Sequence, residues 1–235
     1  MIVFVVGGSG GIGAAMIQYI LNNYPLAEVH ATYHSSAVNT LKKGITWHQL
    51  NVQNESEVKT LAAQFDKLDW LINAVGLLST PQHGPEKRLE AWDSAYFETI
   101  FRTNTLSSVY LAKYFKPALE QAVSPRFAVL SARVGSIEDN HLGGWYSYRM
   151  SKAALNMFLK TVSIEWLKQM PACCVLALHP GTTNTELSRP FHRNIPEGKL
   201  FSPERVAQDL IQLIQNSTPD QSGRFCAYDG EGIPW

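Results

Sequence analysis

The stretch "VVGGSGGIG", Val5 to Gly13, closes the first apolar run of the chain and fits three patterns at once. Gly8, Gly10 and Gly13 spell G-x-G-x-x-G, a dinucleotide-binding spacing. Gly7, Ser9 and Gly11 spell G-x-S-x-G, the nucleophile elbow of hydrolases. Gly7, Gly11 and Gly13 spell G-x-x-x-G-x-G, a further nucleotide-loop spacing. Position separates them. An elbow serine follows much of a hydrolase sheet, and an earlier loop supplies its oxyanion amide. Here the loop starts at Gly7, and no earlier loop exists to supply that amide. A nucleotide loop belongs between a first strand and a first helix, where glycines let phosphate approach backbone N–H groups at the helix N-terminus. A flexible turn that binds nothing has the same glycines, so the remaining chain must arbitrate.

The chain has 235 residues, 45% of them hydrophobic and 17% charged, which suits a globular domain with ample core. Twenty basic residues balance twenty acidic ones, which argues against a nucleic-acid-binding surface or an acidic tail. Three cysteines, two of them adjacent at Cys173 and Cys174, form neither a disulfide framework nor a metal-ligand spacing, so a reducing cytoplasm is expected. Only Ile2–Val6 is continuously apolar near the start, and no basic segment precedes it, so no secretory leader is expected. No apolar run approaches the roughly 18 residues that a membrane span requires.

β-branched apolar segments alternate with helix-period segments. Strands are expected at Ile2–Val6, Val29–Tyr33, Thr46–Leu50, Leu68–Asn73, Phe127–Leu130, Cys173–His179 and Gly223–Tyr228. Helices are expected at about Ile12–Asn22, Glu55–Gln64, Ala91–Tyr114, Tyr148–Lys168 and Pro203–Gln215. This alternation implies an α/β fold, a single doubly wound Rossmann domain spanning residues 1–235, its mostly parallel sheet covered by helices on both faces. Leu77–Arg88 and Thr182–Leu200 lack periodicity and read as lids or binding loops.

Two further signals favour the nucleotide reading. The segment "ATYHSS", Ala31 to Ser36, ends the second strand without the acid that usually meets a ribose 2′-hydroxyl. His34, Ser35 and Ser36 can instead receive a 2′-phosphate, which favours NADP(H) over NAD(H), although ordinary polar loop residues would read the same way. In "YSYRMSK", Tyr148 and Lys152 lie four apart and share one helix face. A free phenol ionises near pH 10, and bringing it to neutrality takes roughly 4 kcal/mol. A neighbouring ammonium and a cationic nicotinamide ring both favour phenolate. Alone the pair is also a common surface pattern.

Together these residues resemble the short-chain dehydrogenase/reductase family over essentially the whole chain. Its T-G-x-x-x-G-x-G loop matches "VGGSGGIG", with Val6 in place of threonine. Its N-N-A-G segment is altered to "NAVG", Asn73 to Gly76. Its active-site asparagine matches Asn104, its Y-x-x-x-K matches Tyr148 and Lys152, and its P-G-with-threonine segment matches Pro180, Gly181 and Thr185 in "HPGTTNTEL". Asn51 and Val52 stand where an Asp-Val usually touches adenine. "RVGSI", "YRMSKAALNM" and "DGEGIPW" are closest to the carbonyl-reductase-like subgroup that includes C-factor signalling proteins.

The resemblance implies an oxidoreductase in which Tyr148 exchanges a proton with a carbonyl or alcohol. Lys152 lowers the phenol pKa and holds the nicotinamide ribose, and the Asn104 backbone anchors a relaying water. It places the cofactor on Gly7, Ser9, Gly11, Ile12, Gly13, His34, Ser35, Asn51, Val52, Asn73, Ala74, Gly76, Tyr148, Lys152, Pro180, Gly181, Thr182 and Thr185. It also implies a homodimer or homotetramer through the helices bearing Asn104 and Tyr148, where Trp92, Tyr96 and Trp166 fit an interface or a core.

One departure stands out. In "VLSARVGS" the family's catalytic serine aligns with Ala132, leaving Ser131 one residue early and Ser136 in the following loop. Adjacent strand residues face opposite sides. Ser131 is the favoured substitute donor, with purely local backbone bonding as its alternative. Trp145, Tyr146 and "LSRPFHRN", Leu187 to Asn194, are candidates to line an apolar substrate pocket, while His192 reads as a solvated residue. The expectation is an NADP(H)-preferring enzyme acting on a small or medium carbonyl or alcohol. Its rivals are a nucleotide-binding sensor without turnover, for which Ala132 argues, and a serine hydrolase using Ser9.

Overall fold

Val3 and Val5 face one side of strand β1 (Ile2–Val6) while Phe4 and Val6 face the other, and all four are fully buried. A strand apolar on both faces belongs inside a parallel sheet covered by two helical layers. The computed structural model, which describes residues 1–35 and 44–235, has that arrangement.

Strand β1 is central. β2 (Glu28–Tyr33) and β3 (Ile45–Gln49) extend the sheet to one side. β4 (Trp70–Asn73), β5 (Arg126–Leu130), β6 (Cys174–His179) and the last strand, β9 (Arg224–Ala227), extend it to the other. Every pairing is parallel, in the order β3-β2-β1-β4-β5-β6-β9. The chain changes direction between β1 and β4, and in such sheets the crevice beyond the strand C-termini at that point is where ligands bind.

One face is packed by α1 (Gly11–Asn23), through Met16, Ile17 and Ile20, and by α6 (Pro203–Asn216), through Val206, Leu210 and Ile214. The other is packed by α2 (Glu55–Ala62), α4 (Ser107–Glu120) and α5 (Tyr146–Gln169), whose Val58, Leu111, Phe115, Leu155 and Leu159 join Phe4, Val6 and Phe127. Trp166 and Tyr96 are buried, at 2% and 3% exposure, so they are core residues rather than interface ones; Trp92 remains 39% exposed.

The long helix expected at Ala91–Tyr114 is divided. α3 (Ser94–Phe101) begins only after Asp93, whose carboxylate accepts from Tyr96 N at 2.7 Å. A π-helical turn, Arg102–Leu106, separates it from α4, which continues through Pro117 to Glu120. The period alone showed neither cap nor π-turn, because both keep the same face inward. Leu77–Arg88 is irregular as expected, whereas the second aperiodic region contains a short parallel pair, β7 (Thr182–Thr183) with β8 (Leu200–Phe201), and a 3-10 turn at Arg189–Asn194. Ser36 lies outside the described residues.

Two outcomes test this packing. Phe115 is fully buried, with its ring 5.2 Å from Phe4 and 5.4 Å from Phe65. Phe115→Ala is therefore expected to cost about 3–5 kcal/mol of unfolding free energy in urea melts, and a loss below about 1 kcal/mol would contradict the packing. His179 ends β6 with Nδ1 enclosed and unpartnered, and burial, aided by the Arg133 charge, pushes its pKa down to about 4. The fold thus favours neutral imidazole. Its stabilising contribution is complete above the unfolded value near 6.5 and is lost as pH falls towards about 4. His179→Gln should flatten the urea-midpoint decline over that window, and parallel curves for variant and wild type would refute the assignment.

Candidate active site

The turn between β1 and α1 is built by backbone touching backbone. A Cβ on Gly13 would lie 2.3 Å from the Gly7 carbonyl oxygen, so no other residue fits. Gly7 has φ +81°, a left-handed conformation that favours glycine, and donates its N–H to Thr32 Oγ1 at 2.8 Å. Ser9 is exposed, and its N–H points to Thr32 O at 3.3 Å. α1 follows Gly10 with no side-chain cap and no acid in its first turn. Bare amides at a helix N-terminus suit a phosphate. Thr185 closes over this turn, since a Cβ on Gly11 would meet its Cγ2 at 2.7 Å. That contact unites the first glycines with the Pro180–Thr185 segment, where Gly181 turns at φ +71°. Ile12 is half-buried and packs with the α1 face of the sheet, and Thr182 is exposed on β7.

Across the crevice, α5 presents Tyr148 and Lys152. Lys152 is 2% exposed, and its ammonium donates to the Leu130 carbonyl at 2.8 Å. The loop after β5 presses onto the same residue, since a Cβ on Gly135 would stand 2.8 Å from Lys152 Cβ. Lys152 Nζ lies 5.8 Å from the Tyr148 ring centroid. Gly76 borders this amine, with room for a Cβ 4.0 Å from Nζ. Tyr148 belongs to an apolar cluster with Leu78, Tyr96 and Ile100, flanked by Leu77, Ala132, Val134, Trp145 and Phe191. Trp145 stands edge-on to Tyr148 at 6.2 Å and against Phe191 at 5.0 Å.

In the protein by itself, burial governs the ionisation of both groups. Burial pushes the Lys152 amine down to about 7, and burial pushes the Tyr148 phenol above its ordinary value. Acidifying the phenol therefore calls for the positive nicotinamide ring as well as Lys152. The chain holds Tyr148 protonated.

The serine expectation is corrected. Ser131 is 3% exposed and donates its hydroxyl hydrogen to Asn156 Oδ1 at 2.5 Å. Ser136 accepts from Asp139 N at 3.0 Å and donates to Trp235 O at 3.4 Å. Ala132 is the residue packed against the Tyr148 cluster. Strand alternation turns Ser131 away from that cluster, and its one O–H is already engaged.

Asn104 sits in the π-turn, and its side chain works as a brace. Oδ1 accepts from Leu77 N at 2.7 Å, and Nδ2 donates to Leu77 O at 2.9 Å and to Ser151 Oγ at 3.0 Å. Single π-turns inside helices are frequent at functional sites. Asn73 is likewise occupied: Nδ2 donates to Ser108 Oγ at 2.9 Å and Oδ1 accepts from Val75 N at 3.0 Å, so its side chain shapes the crevice rather than offering a free group. Ala74 follows with its N–H on Val6 O at 2.9 Å. Asn51 accepts from Gln53 N at 3.0 Å beside Val52, which packs against the core. His34 and Ser35 are exposed after β2. His192 is bonded to Ser188 Oγ at 2.8 Å rather than free in solvent.

Three residues escaped the sequence reading: Thr32, which fixes the glycine turn; Asn156, which holds Ser131; and Glu86, a buried acid. Each acts across a long sequence separation and carries no local motif.

Comparison with known proteins gives the family and the fold. The short chain dehydrogenase family profile matches residues 1–195. The 1-hydroxy-2-glutathionyl-2-methyl-3-butene dehydrogenase of Rhodococcus sp. (strain AD45) is 30% identical over 238 residues, covering 99% of each chain. The C-signal protein of Myxococcus xanthus is 35% identical over 143 residues, 61% of this chain and 81% of its own. Among solved structures, the NADPH-bound carbonyl reductase from chicken fatty liver superposes with a TM-score of 0.87 at 23% identity, covering 100% of this chain and 94% of its own, which shows a shared fold. With its glycine turn, its buried Tyr148–Lys152 pair and these matches, the chain belongs to the short-chain dehydrogenase/reductase family and is an oxidoreductase of that family.

Proposed function

We propose that this oxidoreductase uses NADP(H) in preference to NAD(H) to reduce a small or medium carbonyl, or oxidise the matching alcohol, with Tyr148 as general acid and base. The observation that carries the reading is the buried Lys152 amine, anchored on Leu130 O and sharing a helix face with Tyr148 across the crevice from the glycine turn.

The residues present fit the cofactor. The Gly7–Gly13 approach and the uncapped α1 leave amides for a pyrophosphate, with Gly11, Ile12, Thr182 and Thr185 at its border. His34 and Ser35, exposed where other members place an acid, leave a 2′-phosphate unopposed. The chicken relative is described as NADPH-bound, and the Rhodococcus relative as a dehydrogenase. When bound, the nicotinamide nucleotide supplies or accepts the hydride.

The chain's own residues handle the proton and the orientation. Tyr148, kept protonated by burial, donates its O–H to the carbonyl oxygen during reduction and accepts it back in the reverse direction. Lys152 would hold the nicotinamide ribose, and the backbone of Asn104, in the π-turn, would anchor a water that relays a proton to the amine. Leu77, Ala132, Val134, Trp145 and Phe191 exclude water and favour an apolar substrate. With Ala132 in the serine position, Tyr148 stabilises the developing oxyanion without that second donor, whose loss typically costs about 10²–10³ in rate. That same alanine favours the second reading, a nucleotide-binding sensor without turnover.

We place the protein in a reducing, cytoplasmic setting, consistent with three buried free cysteines. Among the described residues, no helix is long and apolar enough to cross a membrane. A second copy is proposed to dock on α5, where Met150, Met157, Ile164 and Leu167 are exposed.

Purified protein, NADPH and a panel of aldehydes, ketones and quinones separate the two readings. Turnover is expected, and Tyr148→Phe should lower kcat/KM by about 10²–10⁴ while leaving nucleotide affinity nearly unchanged. Tight NADPH binding with no turnover across the panel would establish the sensor instead. By calorimetry NADPH should bind at least several-fold more tightly than NADH, and equal affinities would refute the cofactor preference.

A further inference from the structure

Helix α5 carries the reacting phenol, yet its own start lacks a capping side chain. The residue before it, Trp145, is held at φ +53°, and the first turn contains no acid. Backbone N–H groups at such an end need acceptors. They find them on Glu86, 61 residues away in sequence from Ser147. The Glu86 carboxylate accepts from Ser147 N through both oxygens, at 3.3 and 3.2 Å, and the Ser147 hydroxyl donates to Oε1 as well. The Glu86 backbone carbonyl accepts from Trp145 N at 2.5 Å.

This carboxylate is an unusual one. Glu86 is 4% exposed and Ser147 is fully buried. Among the described residues no cation pairs with Glu86. A buried carboxylate without a counter-charge needs other compensation, and here the positive end of α5 and three hydrogen bonds supply it.

Tyr148 thus lies between two anchors on one helix: Ser147 tied to Glu86 on one side, Lys152 tied to Leu130 on the other. The segment that delivers Glu86 is itself fastened at its other end. Asn104 holds Leu77 through both amide atoms, and Tyr96 donates to Leu78 O. Leu78 and Tyr96 touch the Tyr148 cluster. The irregular 77–88 stretch is therefore a strut that joins the floor of the pocket to the start of the catalytic helix.

We propose that Glu86 is a positioning residue for Tyr148: acting through Ser147, it caps α5 from a distant segment and sets where the phenol meets the substrate carbonyl. The inference rests on the proposed role of Tyr148 and adds to it the group that places the phenol.

The test uses Glu86→Gln, which keeps the shape and removes the charge, and Ser147→Ala, which removes only the hydroxyl partner. Kinetics are normalised to nucleotide-binding sites and run with NADPH deuterated at the transferred position. Because misplacement by about 1 Å can cost about 10²-fold, each variant is expected to lose at least about ten-fold in kcat. The deuterium isotope effect should rise towards its intrinsic value while NADPH affinity stays within about two-fold, and the double variant should be no slower than the worse single one. A merely structural role would reduce the active fraction and leave the isotope effect of the surviving sites unchanged. That result, or additive losses, would overturn the proposal. Amide hydrogen exchange gives a readout independent of turnover: in Glu86→Gln, residues 145–150 should exchange faster and α1 should not. Unchanged exchange over 145–150 would also overturn it. A wild-type protein inactive on the whole carbonyl panel would instead refute the reaction, with exchange still deciding whether Glu86 is the cap.

Discussion

The α5 side of the crevice hangs from one buried amine. An ammonium removed from water needs a partner, and Lys152 has the Leu130 carbonyl at the end of β5. That bond fixes the rotation of α5 about its axis, which in turn fixes Tyr148 one turn earlier and Asn156 one turn later. Gly135 lets the loop after β5 lie directly on the Lys152 backbone, so strand, loop and helix meet without an intervening side chain. Burial lowers the pKa of the same amine to about 7, so its charge responds readily to whatever fills the crevice.

Helix caps divide the elements by role. α2, α3 and α6 begin with their own capping side chains, Asn54, Asp93 and Ser202. α1 and α5 do not. At α1 the omission leaves amides facing the crevice, the arrangement a phosphate requires. At α5 the cap comes from Glu86, which couples the start of the helix to the segment lining the pocket. Ordinary caps stabilise a helix locally, whereas these two ends are reserved for contacts that tertiary structure or a ligand must complete.

The pocket around the phenol is more apolar than a second hydroxyl donor would make it. Ala132 faces the cluster, and Ser131 and Ser136 are bonded elsewhere. Under the proposed reaction, oxyanion stabilisation would fall to Tyr148, beside the aromatic wall of Trp145 and Phe191.

Much of this was legible in one dimension. Runs such as Ile2–Val6 and Cys174–His179 are apolar on both strand faces, and helices such as Pro203–Asn216 repeat their apolar residues every three to four positions, so periodicity alone implied a parallel sheet between helical layers. The glycine loop was also legible, because its backbone contacts demand glycine, and so was the Tyr148–Lys152 pair, because a spacing of four sets both on one helix face. What depended on tertiary structure was direction. Strand alternation says that Ser131 and Ala132 oppose one another, but only the position of α5 decides that the alanine meets the phenol. Asn104 reads as a conspicuous polar residue, yet its side chain serves Leu77, reached across 27 positions. Glu86 lies in a stretch without period or motif, and its meaning arises only where folding sets it against an uncapped helix. Patterns repeated along the chain encode secondary structure; the sharing of buried hydrogen bonds between distant segments is settled only when the core brings them within reach.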